Sequence, residues 1–151
     1  MIQRVQRWLT HPRTVLVCQI VLGLVFAAAA LAKLGDLRSF ATQVHNFRLV
    51  PVPTENLLAM TLPWMELLAA LALLLRVQPR AGALTTAGMM AIFCVVVLAA
   101  VARGLDIDCG CFGTSDGSRV GMKKLLENLG LLVLALIASL KPQKGTGSFS
   151  Y

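Results

Sequence analysis

The chain has 151 residues, of which 57% are hydrophobic and 14% charged, with a formal net charge of +7. A soluble domain of this size normally carries about 25% charged residues, so the composition excludes an ordinary soluble globular protein. Apart from Lys123 and Lys124, the basic residues occur singly, without the stripe or patch that binding to nucleic-acid phosphates needs, which excludes a nucleic-acid partner. The sequence therefore predicts an integral membrane protein whose main partner is the lipid bilayer.

Four segments are apolar and long enough, or nearly so, to cross a bilayer, which takes about 20 residues for roughly 30 Å of hydrocarbon. They cover residues 14–34, 55–75, 81–102 and 122–140. We predict an all-α fold: an integral membrane four-helix bundle over residues 14–140, between a cytoplasmic N-terminus (1–13) and a short polar tail (141–151). The first apolar run has about 21 residues, more than the 7–15 of a cleaved signal peptide, which favours a retained span.

Basic residues also predict how the spans are oriented. The termini and the tight Arg76–Arg80 turn carry basic residues in very short segments, whereas the opposite side spreads an equal number over long loops. This distribution favours a bacterial inner membrane protein with both termini in the cytoplasm and the loop after the third span on the outer side. Nothing in the sequence indicates an oligomeric state.

The stretch 37–50, which follows the first span, is too short and too polar to cross the membrane. Its apolar residues recur at helical spacing, at Leu37, Phe40, Ala41, Val44 and Phe47. We therefore predict an amphipathic helix lying in the outer interface, ended by Pro51 and Pro53. His45 falls on its polar side and is predicted to be a surface histidine.

The second span carries an acid, Glu66, near the middle of the membrane. An ionisable residue at that depth is costly and indicates a functional site, although it can also serve as a buried hydrogen bond that locks helices together. Glu66 is expected to be protonated or paired with a basic residue, for which Lys33 and Arg48 are candidates. Lys33 can alternatively extend its side chain to the lipid headgroups. Pro63, three residues earlier, removes a backbone hydrogen bond and is expected to bend the helix.

The third span holds Met90 and Cys94, four residues apart and therefore on one helix face. Cys94 is interpreted as a small apolar residue of the helix packing or as a thiol that reaches the loop cysteines. In the fourth span, Asn128 is a single polar group among apolar residues and is predicted to be structural.

A Cys-Gly-Cys pair, Cys109 and Cys111, lies in the loop between the third and fourth spans. A disulfide between residues two apart requires a turned backbone, which Gly110 permits, and gives a small strained ring. Strained, exposed disulfides tend to be labile or catalytic, so the pair is predicted to be a redox-active dithiol. A purely structural disulfide that holds the loop in place and a soft-metal site remain as alternatives. A zinc site is less favoured, because the loop has two thiols and no histidine where four ligands are expected.

Over residues 14–140, several elements together resemble the DoxX-like superfamily of membrane proteins. Within it they are most similar to the MauE branch, the methylamine-utilisation membrane proteins. They are Lys33 at the end of the first helix, Phe47-Arg48-Leu49-Val50-Pro51, Leu62-Pro63-Trp64-Met65-Glu66 and Asp108-Cys109-Gly110-Cys111-Phe112-Gly113. The resemblance implies a four-helix membrane protein that supports disulfide formation or maturation of exported proteins, with a periplasmic thioredoxin-like partner. It implies Cys109 and Cys111 as the redox pair and Trp64 and Glu66 as a membrane-embedded signature.

Three functions follow as hypotheses. In the leading one, Cys109 and Cys111 exchange disulfides with a thioredoxin-like protein, while electrons pass through a membrane carrier such as a quinone seated near Trp64, with Lys33 and Arg48 in supporting roles. In the second, a soft metal such as mercuric ion is captured by Cys109 and Cys111 and passed inward through Cys94. In the third, the chain is a non-catalytic membrane anchor for a partner complex.

Overall fold

Five α-helices make up most of the residues that the computed structural model describes, which are 8–48, 50–105 and 121–140. In chain order they are α1 (Pro12–Gly35), α2 (Leu37–Asn46), α3 (Val52–Leu74), α4 (Pro79–Ala102) and α5 (Met122–Ser139). These ranges contain no strand, so the all-α prediction is confirmed for them. Cys109 and Cys111 lie outside the described residues.

Three helices, α1, α3 and α4, are long and apolar enough to cross a membrane by length and composition. This confirms the predicted membrane protein. The shorter α5 has 18 residues and begins with the charged residues Lys123, Lys124 and Glu127, and it falls outside that group. The fourth span therefore stays a prediction.

The sequence sets where these helices begin and turn. Pro12, whose missing N–H is tolerated in a first helical turn, starts α1. Asp36 separates α1 from α2, and its carboxylate accepts a hydrogen bond from the Ser39 backbone N–H at 3.1 Å. Hydrogen bonding to Ser39 holds the pKa of this exposed carboxyl below its usual value, because it favours the charged form. The chain therefore turns at Asp36 and lays α2 against α3.

The long helices pack side by side: α1 contacts α3 and α5, and α4 contacts the same two helices. One part of the core lies where α1 passes the end of α3 and the start of α4, and it consists largely of small residues. Its members include Leu22, Ala70, Leu73, Ala83, Ala135 and Ala138. At Gly82 of α4 an added Cβ would lie 3.0 Å from the carbonyl oxygen of Ala69 on α3. Small residues thus bring the helix backbones close together, as in other membrane helix pairs.

The opposite end of the helices is held by larger side chains. Here Val97 packs against Phe93, Val101 and Leu125. The Phe47 ring meets the Phe93 ring edge to face at 6.5 Å between centroids, and Arg103 Nη1 donates to the Phe47 carbonyl at 3.2 Å.

We call this end, where α1 and α4 finish and α3 and α5 begin, the loop end. The segment that carries the two loop cysteines connects Leu105 to Gly121. Leu105 follows the end of α4, and Gly121 precedes the start of α5. The segment is therefore attached at both its ends to the loop end of the helices.

Candidate functional site

A buried ion pair joins α1 to α3. The Lys33 ammonium lies 2.6 Å from Oε1 and 2.8 Å from Oε2 of Glu66. Both residues are almost inaccessible, with Lys33 4% and Glu66 5% exposed. The interpretation in which Lys33 extends to the lipid headgroups is therefore wrong, because its side chain turns inward to a carboxylate. Arg48, the other basic residue expected as a partner, is exposed and lies two residues after the end of α2.

Two helices contribute the residues of this pair, and a third helix covers it. Glu66 lies in the middle third of α3, three residues after Pro63, and the helix continues through that proline. Lys33 lies in the last turn of α1, where a cation is favoured by the helix dipole. Phe40, the buried residue of α2, places its ring 5.3 Å from the Lys33 Nζ, within the range of a cation–π interaction. The amphipathic α2 thus covers the pair on the side where α1 ends.

The two formal charges cancel within an apolar surrounding. Removing a carboxylate and an ammonium from water is unfavourable, and their mutual attraction balances it only when the geometry is good. Here both carboxylate oxygens lie within hydrogen-bond distance of one ammonium, which meets that condition. The arrangement holds α1 and α3 in one register and keeps a polar group in the interior.

A cavity of about 40 Å³ adjoins the pair. Its walls are apolar except for three residues, Lys33, Glu66 and Asn128. Asn128 comes from α5, is 1% exposed, and its Nδ2 has no hydrogen-bond partner in the part of the chain that the structure describes. The cavity therefore brings together polar groups from α1, α3 and α5, which no single stretch of sequence contains.

A second polar contact lies nearer the loop end. Nδ1 of His45 on α2 is 2.8 Å from Oε2 of Glu55 on α3. The Glu55 side chain is buried, whereas the imidazole is more than half exposed, in agreement with the predicted surface position of His45. This contact fastens α2 across the first turns of α3 and so supports the position of Phe40.

The structure does not bring every predicted site residue to the ion pair. Trp64 is 57% exposed on the outer face of α3, whereas Glu66, two residues later, faces the interior. Cys94 is buried in α4, and its neighbour on the same face, Met90, lines the cavity. The proposed roles of Cys109 and Cys111 concern residues outside the described ranges.

The metal-site alternative also depends on those two cysteines. Within residues 8–48, 50–105 and 121–140, no three His, Cys, Asp or Glu side chains are grouped so that they could hold a metal ion. The predicted set of Cys94, Cys109 and Cys111 extends beyond these ranges and stays a prediction.

Sequence reasoning did not identify two members of this site. The sequence places Phe40 only on an apolar helix face, whereas its contact with the ammonium depends on how α2 folds back. Asn128 was interpreted as structural, although an amide in an otherwise apolar helix is itself a signal of an interior polar partner. Its open donor appears only when α5 is packed against α1 and α4.

Comparison with known proteins gives one family. The sequence model described as "Methylamine utilisation protein MauE" matches residues 12–141. A methylamine utilization protein MauE of Paracoccus denitrificans is 37% identical over 132 residues, covering 85% of this chain and 70% of that protein. Another from Methylophilus methylotrophus is 33% identical over 138 residues, covering 90% of this chain and 73% of that protein. No solved structure matches the chain.

Proposed function

Because this membrane protein belongs to the MauE family, we propose that it takes part in methylamine utilisation by supporting the oxidation or maturation of exported proteins. In this proposal Cys109 and Cys111 cycle between a dithiol and a disulfide. They exchange disulfides with a periplasmic protein of the thioredoxin type.

One observation carries the proposal: the segment with both thiols is attached at Leu105 and Gly121 to the loop end of the helices. Arg103, just before this segment, donates to the carbonyl of Phe47, which directly follows α2. α2 in turn covers the buried Lys33–Glu66 pair. A redox pair in this segment would thus be tethered beside the polar interior of the helices.

The exchange itself needs two thiols and a partner. A thiolate of the partner attacks one sulfur of the Cys109–Cys111 disulfide, and a mixed disulfide forms as the first S–S bond breaks. The partner's second thiol then attacks that bond, which leaves the partner oxidised and Cys109 and Cys111 as thiols. Two electrons and two protons have moved, so a further cycle requires an acceptor for both.

We propose a lipid-soluble quinone as that acceptor, reduced to a quinol by the two electrons and two protons. Trp64, which is 57% exposed on α3, is the aromatic surface that we expect such a ring to contact. The cavity beside Glu66 is too small for this role: at about 40 Å³ it is well below the roughly 150 Å³ of an engineered cavity that binds benzene.

We further propose that α5 forms a fourth span, in a bacterial inner membrane with both termini in the cytoplasm. Its contacts with α1 and α4 support a fourth span packed beside the other three. Its charged residues, Lys123, Lys124 and Glu127, lie in the first turns, where a span would reach the membrane surface. The wider likeness to the DoxX-like superfamily, proposed from the same sequence motifs that resemble the MauE family, also implies four membrane helices.

The test is thiol trapping in a chain that retains only the loop pair. The sequence has 4 cysteines, so Cys18→Ala with Cys94→Ala leaves Cys109 and Cys111 alone. A membrane-impermeant maleimide added to intact cells is expected to label the pair only after mild reduction. Labelling without reductant contradicts the resting disulfide. Labelling only in permeabilised cells contradicts the proposed orientation.

A further inference from the structure

The side-chain amide of Asn128 is a buried hydrogen-bond donor for which the described part of the chain provides no acceptor. Its Nδ2 has no hydrogen-bond partner among the described residues, and the residue is only 1% exposed. An unsatisfied buried donor is unfavourable, and native structures avoid it or satisfy it with ordered water. Asn128 lines the same cavity as Lys33 and Glu66, so the donor lies beside a partly open space that could hold its partner.

The size of that space limits what the partner can be. The cavity measures about 40 Å³. A water molecule requires at least about 10–15 Å³ on this measure, whereas an aromatic ring occupies a cavity of about 150 Å³. The space therefore accommodates a few water molecules and excludes a ring-sized ligand.

The polar groups that line the cavity are suited to binding water. Entirely apolar cavities stay dry, whereas buried waters make two to four hydrogen bonds to polar groups. This cavity offers three such groups: the free Asn128 amide N–H, the carboxylate oxygens of Glu66 and the ammonium of Lys33. The last two carry opposite charges that cancel, which favours a neutral occupant over a further ion.

We propose that the cavity is an internal water site in which water accepts a hydrogen bond from Asn128 Nδ2 and donates one to the Glu66 carboxylate. The water links α5 to the ion pair that joins α1 and α3. It also gives Glu66 a hydrogen-bonded neighbour with which it can exchange protons inside the membrane. This inference is independent of the thiol chemistry proposed for Cys109 and Cys111.

The experiment is pulsed X-ray radiolysis of the purified protein in detergent, followed by mass spectrometry. Radiolysis turns bound water into hydroxyl radicals, which oxidise adjacent methionine to the sulfoxide. Two neighbouring methionines give an internal control: both are half-buried, but Met90 lines the cavity and Met89 does not. Met90 is expected to be oxidised several-fold faster than Met89.

Variants at Asn128 test whether water bound beside this residue causes the faster oxidation of Met90. Asn128→Leu removes the donor and fills the space, so Met90 oxidation should fall to the Met89 rate, while exposed Met122 is unchanged. Asn128→Ser keeps a hydrogen-bonding group and should retain the fast oxidation. Equal rates at Met89 and Met90 in the wild-type protein overturn the proposal, even if the Leu variant does not fold. Unchanged Met90 oxidation in a folded Leu variant overturns it as well.

Discussion

The ion pair between Lys33 and Glu66 gives the sharpest quantitative prediction. We consider Lys33→Met, Glu66→Met and the double variant, because methionine is apolar, flexible and close in length to both side chains. In Lys33→Met the carboxylate is left in a site that is 5% exposed and has lost its only ammonium within the described structure. Breaking a buried pair in this way costs about 3–5 kcal/mol.

Protonation sets an upper limit on the unfolding free energy that Lys33→Met can lose. The stranded carboxylate can take up a proton, which at pH 7 costs about 3.7 kcal/mol for a group with the ordinary glutamate pKa of about 4.3. Insertion measurements for a charged residue at the centre of a membrane helix give a similar value, about 2.5–3.5 kcal/mol. We therefore expect Lys33→Met to lose about 3–4 kcal/mol of unfolding free energy. Glu66→Met is expected to lose about 3–5 kcal/mol, because deprotonating the stranded ammonium at pH 7 costs about 4.6 kcal/mol from the ordinary lysine pKa of about 10.4.

The double variant shows whether the free energy lost in the single variants comes from breaking the ion pair or from altered side-chain packing. With both charges removed, no group is left uncompensated, and replacement of a buried pair by apolar residues is often neutral or stabilising. We expect the loss in the double variant to be well below the sum of the single losses, with a coupling energy of at least about 2 kcal/mol. The assay is reversible unfolding in detergent micelles, with the exposed Lys123→Met, expected to stay within about 0.5 kcal/mol, as the control. Additive losses, with coupling below about 0.5 kcal/mol, would refute the reasoning.

Two further predictions concern the thiols and the helix contacts. Changing Cys109 or Cys111 to Ser should abolish partner oxidation, whereas Cys94→Ala should leave it largely intact. If Cys94→Ala cells instead lose sensitivity to mercuric ion and the purified protein binds that ion, the soft-metal carrier is the better explanation. Gly82→Ala should destabilise the protein, because its Cβ would meet the Ala69 carbonyl oxygen at 3.0 Å. Gly88→Ala, with nothing within 4 Å of the new Cβ, should stabilise it by about 0.5–1 kcal/mol in the same unfolding assay.

The sequence alone predicted the parts of the fold that depend on local pattern. Uncharged apolar runs of about 20 residues identify membrane helices because the thickness of the bilayer sets their length. The helical spacing of apolar residues identified α2, and the position of Glu66 in an apolar run indicated a polar site within the membrane. Each of these signals lies within one segment, so neighbouring residues suffice to read it.

The partners of Glu66 required the tertiary structure. Lys33 is 33 residues away in sequence and was one of two basic candidates. The choice follows from the register in which α1 packs against α3. That packing is close: an added Cβ at Gly23 of α1 would lie 2.8 Å from the Leu74 side chain of α3. Phe40 and Asn128 come from two further helices, and nothing in their own segments fixes the distance to Glu66. An ion pair, a covering ring and an open amide act over a few ångströms, so only the packing of the helices decides which polar groups share the interior.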